Sequence, residues 1–251
     1  MKRVLIKKIC RNIVGVAISM MLCVVLFSCG DDVDSSFCDD IDAQNAEISL
    51  SDCSVNFIDT GRGDCTLIHL PDGKNILIDC GDKTEFTKNQ TDEVLSEFGV
   101  KDINAFIITS PEKYRTANAN YILENYNVKN IFIPFDYDEI KYPYFCDLLN
   151  IVADKNIKTY KFSTGMNILG EDYLLCFLSP SASSLKERQD KAEDNIDENF
   201  NVDYSPIIYL DCCGVRFVFV SDATESSFKH ILNTYKAGMY KNFEVNGREI
   251  A

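Results

Sequence analysis

Residues Ser54 to Asp82 read SVNFIDTGRGDCTLIHLPDGKNILIDCGD, three short apolar runs joined by two tight connections. Asn56–Asp59 leads into a Gly-x-Gly turn at Gly61 and Gly63, while Thr66–Leu70 and Asn75–Asp79 flank Pro71-Asp72-Gly73-Lys74. An Asp-Gly pair between two apolar runs is the strongest short-range hairpin signal. A two-residue turn there sets Thr66 opposite Asp79 and Cys65 opposite Cys80. The second strand then delivers Asp79 and Asp82 to the rim that already holds Asp59, Gly63 and Asp64. That rim is the expected site side of the domain.

Two segments of this stretch, Asp59-Thr60-Gly61-Arg62-Gly63-Asp64 and Leu77-Ile78-Asp79-Cys80-Gly81-Asp82, resemble a known pattern in order and separation. The pattern opens the metallo-β-lactamase-fold domain at the C-terminal end of ComEC-type competence proteins and of free-standing hydrolases like it. The resemblance implies an α/β fold, an αββα sandwich over most of Ser54 to Tyr235. It also implies one or two metal ions, held by a His-x-His-x-Asp-His motif after the strand matching Ala105–Thr109.

The chain opens differently. Lys2, Arg3, Lys7, Lys8 and Arg11 precede an uncharged run from Ile13 to Phe27, the two parts of a secretory signal. The run has fifteen residues, short of the roughly twenty that span a membrane. It ends in Leu26-Phe27-Ser28-Cys29-Gly30, which resembles a bacterial lipoprotein box with Cys29 as the lipidated residue; an uncleaved N-terminal anchor is the alternative. Gly30 to Ser49 is rich in Asp and poor in large apolar residues, as befits a solvated spacer. The expected boundaries are therefore a leader over 1–28, an acidic linker over 29–50 and one domain over 51–251. Such a product is exported and membrane-anchored on the extracytoplasmic side.

The formal charge is −14, and the leader takes only basic residues with it. An acidic surface without basic runs repels phosphate backbones, which makes nucleic acid an unsuitable partner. Eleven cysteines occur, without the Cys-x-x-Cys spacing of a zinc ribbon. Cys212 and Cys213 are consecutive in a strand and point to opposite faces. Most cysteines beyond the leader read as small buried hydrophobes. Cys65 with Cys80 is the one pair whose cross-strand placement suggests a disulfide.

Beyond Asp82, Thr91 is placed to cap a helix running to Phe98, with Asp92 and Glu93 in its first turn. A buried strand at Ala105–Thr109, a helix over 116–126 and a strand at Asn130–Pro134 follow. Phe145, Leu148, Leu149 and Val152 then form one helical face behind Pro143. The second half opens with strands at Ile157–Phe162, Met166–Leu169 and Tyr173–Ser179. A charged loop over 184–199 separates them from a hairpin of Pro206–Asp211 and Arg216–Val220. A last helix has Phe228, Ile231, Leu232 and Tyr235 as its apolar stripe.

At the place of the family's metal motif the chain has Ser110-Pro111-Glu112-Lys113-Tyr114-Arg115. Ser110 stands for the first histidine, Glu112 for the second, Tyr114 for the aspartate and Arg115 for the third histidine; only Glu112 could still ligate a metal. Tyr204-Ser205 resembles the family's Asn-Ser step. Val220-Ser221-Asp222-Ala223 resembles Thr-Gly-Asp-Ala, whose aspartate bridges the metals. Chemistry alone leads to a similar count. Zinc hydrolysis needs three or four ligands around an open position, most often histidines, and the chain has only His69 and His230. His69 lies in the first hairpin, a structural place, and His230 lies off the stripe of the last helix.

Asp59, Asp64, Asp79, Asp82, Glu112 and Asp222 could converge at one rim and offer oxygen ligands to Mg²⁺ or Ca²⁺. The metal candidates among them are Asp222, Glu112 and Asp79. Against that stand Lys113 and Arg115 in the same loop. The reading preferred here is that Arg115 neutralises Asp222 and its neighbours, a guanidinium in place of the cation; a solvated loop without a role is the alternative. No cofactor is then expected, although the family would bring zinc or another divalent metal. Ser110 and Ser221 have no histidine base nearby in sequence and no Gly-x-Ser-x-Gly elbow occurs. Gly61-Arg62-Gly63 lacks the Gly-Lys-Ser/Thr tail of a phosphate loop. Asn89-Gln90-Thr91 reads as a turn and cap.

In the family, a strand with a His-His-Gly motif and a closing helix follow the segment matching Thr224–Tyr235. Phe243 to Ala251 could at most begin that region, and a missing strand would leave an open sheet edge that invites self-association. Three functions follow: a non-catalytic binding or interaction module for a protein or small molecule, a metal-dependent phosphodiesterase-like hydrolase with a carboxylate-rich site, or a truncated relic.

Overall fold

The hairpin forms, one residue out of the expected register. In this computed structural model, which describes residues 53–133, 142–181, 205–236, 244–245 and 248–249, β1 (Ser54–Phe57), β2 (Thr66–His69) and β3 (Asn75–Ile78) run antiparallel. Thr66 pairs with Ile78, not Asp79. The cause is the turn: Gly73 N–H donates to the Leu70 carbonyl at 2.9 Å and takes φ +79°. A turn over Pro71-Asp72 closed by a left-handed glycine inserts one residue more than a two-residue loop. A one-residue slip changes every facing pair. Cys65 and Cys80 are accordingly both free and buried. The disulfide joins Cys53 to Cys212 instead, with a Cα separation of 6.6 Å, so Cys212 is a cross-link and not merely a buried apolar residue.

Three crossovers extend β3 into a parallel sheet. The strand β5 (Ala105–Ile107) pairs with β3, β7 (Asn130–Ile133) with β5, and β8 (Lys158–Lys161) with β7, which gives the order β1-β2-β3-β5-β7-β8. The strand at 158–161 thus completes the first sheet and does not open the second half. The central strands are buried on both faces, hence their unbroken apolar runs. Two short strands that the sequence did not announce, β4 (Asp102–Ile103) and β6 (Asn127–Val128), pair in parallel beside them.

Helix α1 (Glu85–Glu97) starts earlier than expected. Thr84 is its cap, its Oγ1 accepting from Thr87 N–H at 3.0 Å. Thr91 lies within the helix, where its Oγ1 donates to the Thr87 carbonyl at 2.8 Å. The buried stripe is Thr87, Thr91 and Leu95, and two threonines in it hide the apolar period. The helix expected over 116–126 divides into α2 (Lys113–Thr116) and α3 (Ala119–Asn125). Helix α4 (Pro143–Asp154) has Pro143 in its first turn and buries Phe145, Cys146, Leu148 and Val152.

The second sheet has the order β12-β11-β10-β9, all antiparallel: β9 (Asn167–Leu169), β10 (Tyr173–Phe177), β11 (Ile208–Cys212) and β12 (Val215–Phe219). Cys213 and Gly214 link the last two at φ +52° and +74°, the two left-handed residues of a tight hairpin. Ile68, Ile76, Ile107 and Phe132 of the first sheet share one core with Leu175, Phe177, Ile208 and Leu210 of the second. Leu67, Leu77, Phe106 and Ile131 on the opposite face pack with Leu95, Ile122 and Leu148 of the helices. Helix, sheet and facing sheet are thus the layers of the expected α/β sandwich.

Helix α5 (Glu225–Lys236) follows β12. Phe228 and Leu232 on it are exposed, and among its described side chains Ser227 is the buried one; Phe228 is no core residue. A separate hairpin pairs β13 (Glu244–Val245) with β14 (Arg248–Glu249). The expected leader, linker and charged loop, and most of the segment after α5, lie outside the described residues. Among those described, no helix is long and apolar enough to cross a membrane.

Candidate functional site

Asp79 directly follows β3 in a left-handed backbone conformation, φ +55°. Its carboxylate is buried, accepting from Thr109 N–H at 2.8 Å and from Thr109 Oγ1 at 2.6 Å. Ser221, also left-handed at φ +46°, donates its hydroxyl to Thr109 Oγ1 at 2.7 Å. A row of hydroxyls and a carboxylate thereby links the segment after β12 to the end of β3.

Arg115 sits at the centre. Its Nε and Nη2 reach the two oxygens of Asp222 at 2.9 and 2.7 Å, a bidentate fork, and its Nη1 reaches Asp79 at 2.8 Å and Asp64 at 2.6 Å. Side-chain exposure is 5% for Arg115, 1% for Asp79, 26% for Asp222 and 60% for Asp64. One cation is therefore shared among three carboxylates, by hydrogen bonds to Asp222 and Asp79 and an ion pair with Asp64.

The titration of the cluster follows from this geometry. Burial pushes the Asp79 carboxyl up to about 6, against the opposing pull of Arg115 and Thr109. Burial would lower Arg115, but Asp79 and Asp222 outweigh it and the guanidinium is raised above its ordinary value. Tyr114 is raised by burial and by Asp222; its hydroxyl lies 3.5 Å from Asp222, and the guanidinium carbons of Arg62 and Arg115 each lie 5.6 Å from its ring centre.

The glycine turn of the first motif is what holds the loop 110–115 in place. A Cβ on Gly63 would lie 1.6 Å from the Tyr114 carbonyl oxygen, so only glycine permits this approach. Thr60 Oγ1 donates to the Gly63 carbonyl at 2.8 Å, and Cys80 gives both its N–H, at 3.0 Å, and its thiol, at 3.1 Å, to the Arg115 carbonyl. The two motifs thus clamp the backbone that presents Arg115.

Of the carboxylates expected at the rim, Asp64, Asp79 and Asp222 come together. Asp59 accepts from Gly61 N–H, and Asp82 pairs with Lys113 at 3.2 Å. Glu112 stands at the N-cap position of α2 without a side-chain capping bond and acts on Tyr114 through its charge, and Ser110 Oγ accepts from Glu112 N–H at 3.3 Å. His69 bonds Asn75 at 2.8 Å inside the hairpin, and His230 lies in α5, its side chain outside the description. Thr109 was missed, and nothing in its sequence neighbourhood marks it. Ser221 was weighed only as a nucleophile, whereas it serves the hydrogen-bond row.

The donor set does not fit a metal. The carboxylates are spaced around a guanidinium, and among the described residues no three His, Cys, Asp or Glu side chains close on a common point where an ion could sit. A cation, the Arg115 guanidinium, already sits among these carboxylates.

Neither a protein-family model nor a curated protein matches the chain. Solved structures similar to it include metallo-β-lactamases and a metallo-β-lactamase-fold protein. A Cronobacter sakazakii metallo-β-lactamase with an HARLDQ motif aligns at 11% identity and a TM-score of 0.43, over 68% of this chain and 61% of that one. FEZ-1 from Legionella gormanii aligns at 12% and 0.42, over 74% and 70%, and GOB-18 from Elizabethkingia meningoseptica at 13% and 0.40, over 77% and 72%. The chain thus spans less than two thirds of the Cronobacter protein.

Proposed function

We propose that this chain is an exported, lipid-anchored domain of the metallo-β-lactamase fold, related in type to the ComEC hydrolases, that works as a non-catalytic binding or interaction module. The observation that carries the reading is Arg115: the side chain at a position where the resemblance places a metal-binding histidine forms ion pairs with Asp64, Asp79 and Asp222. An ion pair of this kind leaves neither a Lewis acid nor an activated water. Export is supported by the leader, the lipoprotein-like box at Cys29 and the Cys53–Cys212 disulfide, since such bonds persist in oxidising compartments. The partners that suit it are a membrane, through the anchor, and a protein or small molecule at the domain. Self-association belongs to the same proposal: among the described residues β12 is an edge of its sheet, with Val215 and Val218 exposed.

A carboxylate-bound metal hydrolase is the second reading, favoured by the convergence of the three aspartates. Metal analysis of the purified chain, combined with hydrolysis of a generic phosphodiester, separates the two. The binding reading expects neither bound metal in stoichiometric amount nor turnover. Stoichiometric metal with turnover abolished by Asp222→Ala would sink it.

A further inference from the structure

The geometry points to Arg115 as the resident cation of this site: its guanidinium joins carboxylates that would otherwise need a divalent ion, so that Arg115 and a metal are mutually exclusive occupants. The inference rests on the metal-free reading above and extends it to what keeps the two sheets together at this rim. Asp79 directly follows β3 of the first sheet and Asp222 follows β12 of the second. Among the described residues the group in contact with both is the Arg115 guanidinium, at 2.8 Å from Asp79 and 2.7 Å from Asp222.

Three observations separate this from a casual ion pair. The guanidinium is buried, where an uncompensated charge is costly and a hydrogen-bonded one is not. Its backbone is fixed by Cys80, which donates twice to its carbonyl, and by the close approach of Gly63 to Tyr114. The match to Asp222 is a two-point fork, a geometry that a lysine cannot reproduce. Without Arg115 the three carboxylates would be left uncompensated; as placed they do not close on one point, so an ion could replace the guanidinium only by drawing their side chains inward, which hard oxygen ligands favour.

The test is thermal unfolding of the full purified chain with EDTA, Mg²⁺ or Mn²⁺ at millimolar level. The wild-type midpoint is expected to stay where it is under all three. Arg115→Ala is expected to lower it by roughly 10 °C, and Mn²⁺ to restore at least half of that in a concentration-dependent way. Arg115→Ala combined with Asp222→Ala is expected to gain nothing from the ion. Arg115→Lys, which keeps the charge and loses the fork, is expected to fall by less and to ignore Mn²⁺. A wild-type midpoint that moves with EDTA or Mn²⁺ overturns the inference. So does an Arg115→Ala chain that stays unfolded or unrestored with the ion, or an Arg115→Lys chain that Mn²⁺ stabilises. Failure of the restoration alone leaves the non-catalytic reading standing, whereas metal-dependent turnover by the wild type removes that reading itself.

Discussion

Arg115 places Nε and Nη2 on the two oxygens of Asp222, which lies 107 residues further along the chain, at 2.9 and 2.7 Å. The pair links the short helix that follows the first parallel crossover to the turn that follows β12. Removing one partner of such a pair costs more than the pair contributes, because the other charge stays behind. Asp222→Ala is therefore expected to destabilise the domain by about 2–3 kcal/mol, with Asp79 and Asp64 retaining Arg115. Urea unfolding measures this, and a loss of under about 0.5 kcal/mol would show the fork to be incidental.

Gly63 and Gly99 provide an internal contrast. Both are left-handed, at φ +88° and +61°, but a Cβ on Gly99 meets nothing within 4 Å, while one on Gly63 meets the Tyr114 carbonyl oxygen at 1.6 Å. Gly99→Ala is expected to cost about 1–2 kcal/mol, the backbone strain alone. Gly63→Ala adds a clash with backbone and is expected to cost more than about 4 kcal/mol and to displace Arg115. Equal denaturation midpoints for the two variants would refute the account of the glycine turn.

Asp79 predicts a pH dependence whose sign is the reverse of the usual carboxylate case. Its carboxyl is raised from 3.8 to about 6 in the folded chain, so the folded state holds the proton more tightly than the unfolded one. Its contribution is fully present below about pH 4 and is lost as pH rises through about 6. The order of magnitude is about 2–3 kcal/mol between those limits. Asp79→Asn, which tolerates the left-handed backbone, should flatten this part of the profile. Wild-type and variant profiles that run parallel between pH 4 and 7 would contradict a raised Asp79.

The disulfide predicts a specific thiol pattern. Peptide mapping without reductant should recover Cys53 linked to Cys212, with Cys65 and Cys80 alkylated only after unfolding, since both are buried. The bond closes a loop with a sequence separation of 159, and Cys53→Ser is expected to cost up to about 5 kcal/mol by loop entropy. A Cys65–Cys80 peptide would restore the register that the turn at Gly73 rules out.

What the sequence determined by itself was local. The Asp-Gly hairpin, the alternation of buried strands and helices, Pro143 at a helix start and the two glycine-bearing motifs are all legible from spacing, because each depends on residues a few positions apart. Even there, a left-handed Gly73 shifted the hairpin register by one residue, and Thr87 and Thr91 concealed the buried face of α1. The ion pair of Arg115 with Asp222 is suggested only by the resemblance of both segments to the family's motifs. Tertiary structure decided the rest. Asp64, Asp79, Thr109, Arg115, Ser221 and Asp222 meet because a mixed sheet and a facing antiparallel sheet end at one rim. No local signal records such a meeting: pairing across more than a hundred residues is set by strand order and by which face each strand buries. The burial that pushes Asp79 up, and the carboxylates that hold Arg115 charged against that same burial, come together only once both sheets have closed over them.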